Sequence, residues 1–275
     1  MSMRVRAAAT DDMPAIRQVA RHYGLLEGWP ADGDFLDAEH RYGTLLLAAA
    51  DSGGAQGFGG TLRRGDITHL GDLFVLPEHQ SSGVGRALLG QLLDGDGPRV
   101  TFASSDPRAV GLYARLGLRP WCPLLYLTGG PVEGPSGPPV RTVPSDEVAP
   151  LDAVISGGSR PETLAWYAAI PGVTAYATKR AYVFARVAEG RLTIGPAGGV
   201  TPEDCAEAVL GSLAAVRAEF TAIGTAQIAV PGTHPLVPVL LGAGWRIADM
   251  DTFMADEAAL AAIRPDRYLP HPDLG

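Results

Sequence analysis

The chain has 275 residues, which points to about two domains, and its 46% hydrophobic and 19% charged residues suit a substantial core and exclude wholesale disorder. A net charge of −8 and a pI near 5.2 argue against a nucleic-acid partner, because phosphate-backbone binding needs a basic footprint. No apolar run reaches the ~18 residues of a membrane span, and the first residues lack a signal-peptide core, so a cytoplasmic protein with no membrane partner is expected. Cys122 and Cys205 lack CxxC spacing and a nearby histidine, and the histidines show no ligand spacing, so neither a metal nor a disulfide is expected.

The first half opens with a strand, Met3 to Ala7, after which Thr10, Asp11 and Asp12 offer caps and acidic first-turn groups to a helix. Ile16, Val19, Ala20 and Tyr23 make the apolar face of that helix. Strands are predicted at 44–50, 55–62 and 68–76, separated by turns at Asp51-Ser-Gly-Gly and Arg63-Arg-Gly-Asp. A helix starts near Gly83, followed by a strand at 99–103, a helix at 107–116 ended by Gly117, and a strand at 123–127. The segment 129–140, rich in glycine and proline, cannot continue a helix or central strand and reads as a linker, dividing the chain into domains at 1–128 and 141–275.

The second half repeats the order of elements. Strands are predicted at 181–188 and 191–194, then a loop over Gly195-Pro-Ala-Gly-Gly199, a helix capped by Thr201 with Pro202 and Asp204 in its first turn, and strands at 226–230 and 247–254. Leu116-Gly117 and Leu241-Gly242 look like matching points 125 residues apart, which puts Pro238 opposite Tyr113. The tail, Arg264 to Gly275, reads as an extended arm on the surface. Charge divides unevenly: residues 1–130 carry −2 and residues 131–275 carry −6, either an ordinary solvated surface or a wall that draws in a cation.

Chemistry concentrates in Leu73-Phe-Val-Leu-Pro-Glu-His-Gln80-Ser-Ser-Gly83-Val-Gly85-Arg86, where a hydrophobic strand runs through a glycine-bearing loop into a helix. Glycines let backbone amides approach an anion, and the helix N-terminus adds partial positive charge, so the segment suits a phosphate cradle; a ligand-free turn is the alternative. Arg86 stands where a Walker loop needs lysine, Leu88 breaks a dinucleotide fingerprint, and no G-x-S-x-G elbow occurs.

These residues resemble the central motif of the GNAT superfamily of acyl-CoA-dependent N-acyltransferases, a strand L-x-V-x-P followed by Q/R-x-x-G-x-G/A. A second family motif is recognisable from Asp106 through Tyr113 to Gly117-Leu118. The resemblance implies an α/β (α+β) protein of two GNAT-like domains, each a mixed, mostly antiparallel sheet flanked by helices. It implies that Gln80 and the amides of Ser81, Ser82, Gly83, Val84, Gly85 and Arg86 hold the pyrophosphate of acetyl-CoA. It further implies that Leu73, Phe74 and Val75 splay from their neighbour to pair with its pantetheine arm, that Asp106 contacts it, and that Tyr113 protonates the departing thiolate.

Two positions depart from the family pattern: Asp106 replaces the usual asparagine, and the strand 99–103 offers Thr101 where relatives carry a glutamate base. His69 and Asp72 are the remaining titratable groups nearby, and simple alternation places them on opposite faces. The second half lacks both motifs and is expected neither to bind coenzyme A nor to catalyse. The expected activity is acetyl transfer from acetyl-CoA to the primary amine of a small molecule or peptide, with a homodimer left open. A coenzyme A-binding sensor, or transfer to a hydroxyl or thiol, remains the alternative.

Overall fold

In the computed structural model, which describes residues 3–31, 33–50, 54–130, 137–220 and 222–275, the first half forms β1 (Met3–Ala7), α1 (Met13–His22), α2 (Phe35–Tyr42), β2 (Gly43–Ala50), β3 (Ala55–Arg64), β4 (Ile67–Val75), α3 (Val84–Leu92), β5 (Arg99–Ala103), α4 (Pro107–Ala114) and β6 (Arg119–Gly129). The second half forms β7 (Arg141–Val143), α5 (Ser145–Ile155), α6 (Pro161–Ala168), β8 (Val173–Ala177), β9 (Ala181–Ala188), β10 (Arg191–Gly199), α7 (Pro202–Glu219), β11 (Thr225–Pro231), α8 (Leu236–Gly242), β12 (Arg246–Ala255), α9 (Glu257–Ala262) and β13 (Tyr268–Leu269). Residues 51–53 of the first expected turn and 131–136 of the expected linker lie outside the described residues.

Local chemistry explains the boundaries. The Thr201 hydroxyl accepts from the Asp204 amide at 3.1 Å while the Asp204 carboxylate accepts from the Thr201 amide at 3.0 Å, a reciprocal cap for α7. Asp34 caps α2 in the same way, accepting from Leu36 and receiving Asp37 on its own amide at 3.0 Å. Ile16, Val19 and Ala20 are buried along α1, as their spacing predicts.

The strands form one mixed, mostly antiparallel sheet in the order β1-β2-β3-β4-β5-β12-β6-β11-β10-β9-β8-β7, flanked by helices, and the two halves exchange their last long strands within it. Strand β12 pairs antiparallel with β5 of the first half, while β6 pairs antiparallel with β11 of the second. The two exchanged strands also pair with each other along their length, so the sheet is continuous at its centre. One core cluster accordingly spans both halves, packing Ile16, Phe35 and Phe58 with Tyr167, Phe184 and Tyr268. On the opposite face α3 and α4 cover a separate cluster in the first half, and α7 and α8 cover another in the second.

Parallel pairing occurs at corresponding places in each half, β4 with β5 and β10 with β11. In the second half that pairing ends at Ile194–Ile228, and the tail strand β13 then pairs with β10 through Ala197 and Gly198. Two expectations are corrected here. The segment 195–199 is not a loop, because β9 and β13 supply it with strand partners on both sides. The tail is not a surface arm either: Tyr268, Leu269 and Leu274 are buried, since their apolar side chains fill space that the prolines alone would leave open.

A buried polar network ties the tail to both halves. Asp152 and Arg160 pair at 2.9 Å with almost no solvent exposure, and the Tyr182 hydroxyl donates to Asp152. Arg160 and Arg64 both donate to the Tyr268 hydroxyl, at 2.9 and 2.8 Å. Arg160 also reaches the main-chain carbonyls of Leu274 and Gly275. Removing one partner of a buried pair leaves the other charge uncompensated. Asp152→Ala is therefore expected to cost about 3–5 kcal/mol in urea unfolding, well above the ~1 kcal/mol typical of a surface pair.

Candidate active site

The site begins where β4 leaves β5. Parallel pairing runs only through Thr68–Arg99, His69–Val100 and Leu70–Thr101, so beyond Leu70 the β5-facing edge of β4 has no strand partner. The register against β3 also shifts there, from Thr61–Leu70 to Gly60–Asp72, making Gly71 a bulge. The extra residue breaks the alternation: Leu70, Leu73 and Val75 share the α3–α4 face, whereas Phe74 packs on the opposite one. His69 and Asp72 consequently lie on the same face, which corrects the expectation from simple alternation. His69 stacks against Phe102 at 4.8 Å, and Asp72 meets Glu39 of α2.

Around the open edge lies a cavity of about 530 Å³, lined among others by Leu73, Phe74, Val75, Gln80, Ser81, Gly83, Gly85, Arg86, Asp106 and Tyr113. The loop into α3 holds Ser81 at φ 60° and Gly83 at φ 95°, a left-handed geometry that turns successive amides toward one concavity. A Cβ on Gly83 would meet nothing within 4 Å, so the space before the helix N-terminus is open. The first-turn amides of α3 point into that space without intrahelical partners. The expectation for this loop concerned its backbone amides, and two of its side chains do turn away from the cavity. Ser82 turns its hydroxyl to the His79 carbonyl at 2.5 Å, and Val84 is buried beneath α3, which leaves these two only their amides to contribute. Gln80 lines the cavity but donates to the Val75 carbonyl at 3.2 Å, where Tyr23 also donates at 2.5 Å, so it pins the loop to the strand end.

Asp106 caps α4 by accepting from the Arg108 amide at 2.8 Å, and Arg108 also pairs with its carboxylate and holds its pKa below the ordinary value. The carboxylate does not leave the mouth anionic, because Arg86, Arg108 and Arg115 all line it. Arg108, in the first turn of α4, and Arg115, the residue that ends it, were not singled out from sequence, although the seven-residue spacing brings them to one side. Tyr113 forms the inner wall, and burial, with Asp72 and Asp251 nearby, raises its pKa and keeps the phenol protonated.

A second cavity, about 310 Å³, opens among the α1–α2 loop, β9–β11 and the tail, with Trp29, Tyr126, Arg186, Arg191 and Asp273 on its walls. Between the two cavities sits a group of carboxyls without a local motif: Glu39 from α2, Asp72 from β4, Asp251 from β12 and Asp273 from the tail. Glu39 occupies a hollow left by glycines, since a Cβ on Gly60 would come within 1.7 Å of its Oε2 and one on Gly71 within 2.8 Å of its Oε1. Burial first, then Asp72, pushes Glu39 well above the usual carboxylate range, and burial pushes Asp72 up to about 7. The pair thus retains a proton near neutrality. Partial burial raises the Asp273 pKa above the ordinary carboxylate value, against a 2.9 Å hydrogen bond from the Trp29 indole. The Tyr126 hydroxyl donates to Asp251 at 2.7 Å. His69 stands apart from this group: burial and the charges of Arg64 and Arg160 hold it well below its ordinary pKa, and its ring packs on Phe102.

In the second half, the Leu118→Tyr113 and Trp245→Leu240 backbone hydrogen bonds end α4 and α8 identically, which puts Leu240 rather than Pro238 opposite Tyr113. The position lacks a phenol in either register.

Residues 41–120 match the acetyltransferase (GNAT) domain family. The fold is similar over 99% of the chain to 96% of a Pyrococcus horikoshii protein provisionally described as an acetyltransferase (TM-score 0.73, 17% identity). A tandem GNAT protein from the clavulanic acid biosynthesis pathway aligns over 94% of this chain and 99% of its own (TM-score 0.60, 17% identity). A GCN5-related N-acetyltransferase from Sphaerobacter thermophilus aligns over 93% and 96% (TM-score 0.59, 14% identity). No curated protein matches the chain. At these identities the solved structures speak to the fold, and the family match covers the segment that builds the larger cavity. Residues 41–120 thus carry the acetyltransferase (GNAT) domain match, and the fold of the whole chain is that of the GNAT structures it resembles.

The raised carboxyl pKa values carry a stability consequence. A carboxyl whose folded pKa exceeds its unfolded value near 4 contributes stability at low pH that is lost as pH rises through the folded value. Glu39→Gln is expected to raise Tm more at pH 8 than at pH 5, because it removes the like-charge conflict with Asp72; an equal shift at both pH values would contradict the shared-proton arrangement.

Proposed function

We propose that the protein transfers an acetyl group from acetyl-CoA to the primary amine of an acceptor in a ternary complex. The observation that carries this reading is the single cavity that joins the open edge of β4, the amide cradle before α3, three arginines and Tyr113. The donor chemistry fits the ligand: left-handed Ser81 and Gly83 and the α3 amides suit a pyrophosphate, and Arg86, Arg108 and Arg115 supply compensating charge. Acetyl-CoA supplies a thioester whose carbonyl carbon takes the amine nitrogen, forming the C–N bond as the C–S bond breaks.

The edge of Gly71 to Phe74, which has no strand partner on the β5 side, presents backbone groups to polarise that carbonyl and hold the acyl chain in line. Tyr113 gives its phenolic proton to the leaving sulfur, the form its buried position maintains. The ammonium must lose a proton before attack. Asp72, one residue before Leu73 and backed by Glu39, is the acceptor for it, directly or through water. A pKa near 7 leaves it ionised enough to accept and close enough to the working pH to transfer efficiently.

Tyr113→Phe should lower kcat by about 10²–10⁴-fold while acetyl-CoA binding by calorimetry stays unchanged. Gly83→Asp should abolish acetyl-CoA binding in a protein whose circular dichroism is native, since it sets a carboxylate in the cradle. In wild type kcat should fall as pH drops below about 7, where Asp72 gains its proton; Asp72→Asn should be slower and should lack that limb.

A further inference from the structure

The smaller cavity has charge of both signs at separate places. Asp273 stands on one wall with about a third of its side chain open, its Oδ2 accepting from the Trp29 indole at 2.9 Å. Behind it lie Asp72 and Glu39, and Gly71 packs against the Asp273 carbonyl. Across the cavity, the heads of Arg186 and Arg191 converge on Gly28. Arg186 donates to the Gly28 carbonyl at 2.6 Å and to the Pro171 carbonyl at 3.3 Å while its guanidinium lies over the Trp29 ring at 5.4 Å. Arg191 holds its Nη1 about 4.0 Å from where a Gly28 Cβ would stand. Among the described residues neither arginine forms an ion pair; Arg186 faces two neutral carbonyls, and both side chains line the cavity. Glu27 and Glu189 stand on the exposed rim and pair with neither arginine, while the Arg186 charge acts on Asp273 from a distance.

Two guanidiniums without a carboxylate are a receptor for one, because their planar forks match its oxygens. The same two charges repel a polycation, which the carboxyl group alone would have favoured. A volume of about 310 Å³ is at the small end of metabolite sites and too confined for a folded protein surface. Resting on the transferase reading above, we propose that this cavity is the acceptor site and takes a small zwitterion, an amino acid or other amino-carboxylate. Its amine points past Asp273 toward β4, and its carboxylate sits on Arg186 and Arg191. In this reading the second half contributes no chemistry to the acyl donor but selects the acceptor, through arginines on β9 and β10.

The test is a thiol-release assay on the full chain with acetyl-CoA. The acceptors are the common amino acids and γ-aminobutyrate, the corresponding amides that lack the carboxylate, and putrescine and spermidine. At least one amino-carboxylate should exceed its own amide by about tenfold or more in kcat/KM, the scale of one charge-assisted contact. Arg191→Gln should raise KM for that acceptor by a similar factor, with kcat and acetyl-CoA affinity retained, and Arg191→Glu should narrow the acid-over-amide preference further. Amides or diamines that react as well as the acids, or an Arg191→Gln variant with unchanged KM, would overturn the acceptor assignment and leave the transferase standing. Thiol release with none of the amines, in a protein that binds acetyl-CoA by calorimetry, would overturn both.

Discussion

The parting of β4 from β5 after Leu70 and Thr101 is the constraint on which the remaining structure depends. A sheet rarely leaves main-chain donors and acceptors unpaired in its middle, because each buried one costs free energy. Here the Gly71 bulge redirects the strand, and the edge from Asp72 to Val75 opens into a cavity where a ligand can satisfy it. The same bulge turns Asp72 toward Glu39, so the open strand edge and the carboxyl pair beside it have one geometric cause.

The second half shows what closing such an edge does. Its parallel pair also ends early, at Ile194 and Ile228, but Tyr268 and Leu269 of the tail pair with β10 and Tyr268 enters the shared core. The chain thus fills its second opening with its own backbone and leaves the first as a cavity. Exchange of β6 and β12 then locks the halves together, since neither half's sheet is complete without a strand from the other. The smaller cavity follows from that exchange, with walls drawn from an N-terminal loop, second-half strands and the tail.

Gathering Glu39, Asp72, Asp251 and Asp273 near one point opposes folding, since burial and mutual repulsion disfavour their charged forms. Opposite charge is available: Arg160 is buried against Asp152, where the fold is held, while Arg186 and Arg191 face the cavity. Paired charges lie where the structure must be rigid, and uncompensated ones lie beside space. That separation is the pattern expected when local strain at a site is carried by a well-tied scaffold.

Most of the larger cavity was legible along the chain because its residues are near neighbours in sequence. A strand, a glycine-bearing turn and a helix start are local structures, so Leu73 to Arg86 announce their shape through residue type, whereas Tyr113 stood out only through the resemblance to the family's second motif. The strand and helix order, the Thr201 cap and the absence of a phenol in the second half are similarly local. Sequence could not show which way Ser82 and Val84 face, that Asp72 shares a face with His69, or that the tail is a buried strand. Those depend on a one-residue bulge and on partners 204 positions away, such as Tyr268 beside Arg64. The acidic group and the paired arginines belong to the same class: each side chain is unremarkable on its own element, and its chemistry arises only where strand exchange and the tail bring distant segments into one low-dielectric space. Local backbone preference therefore settled the cradle, whereas burial and charge proximity, which exist only in the assembled fold, decided what stands beside it.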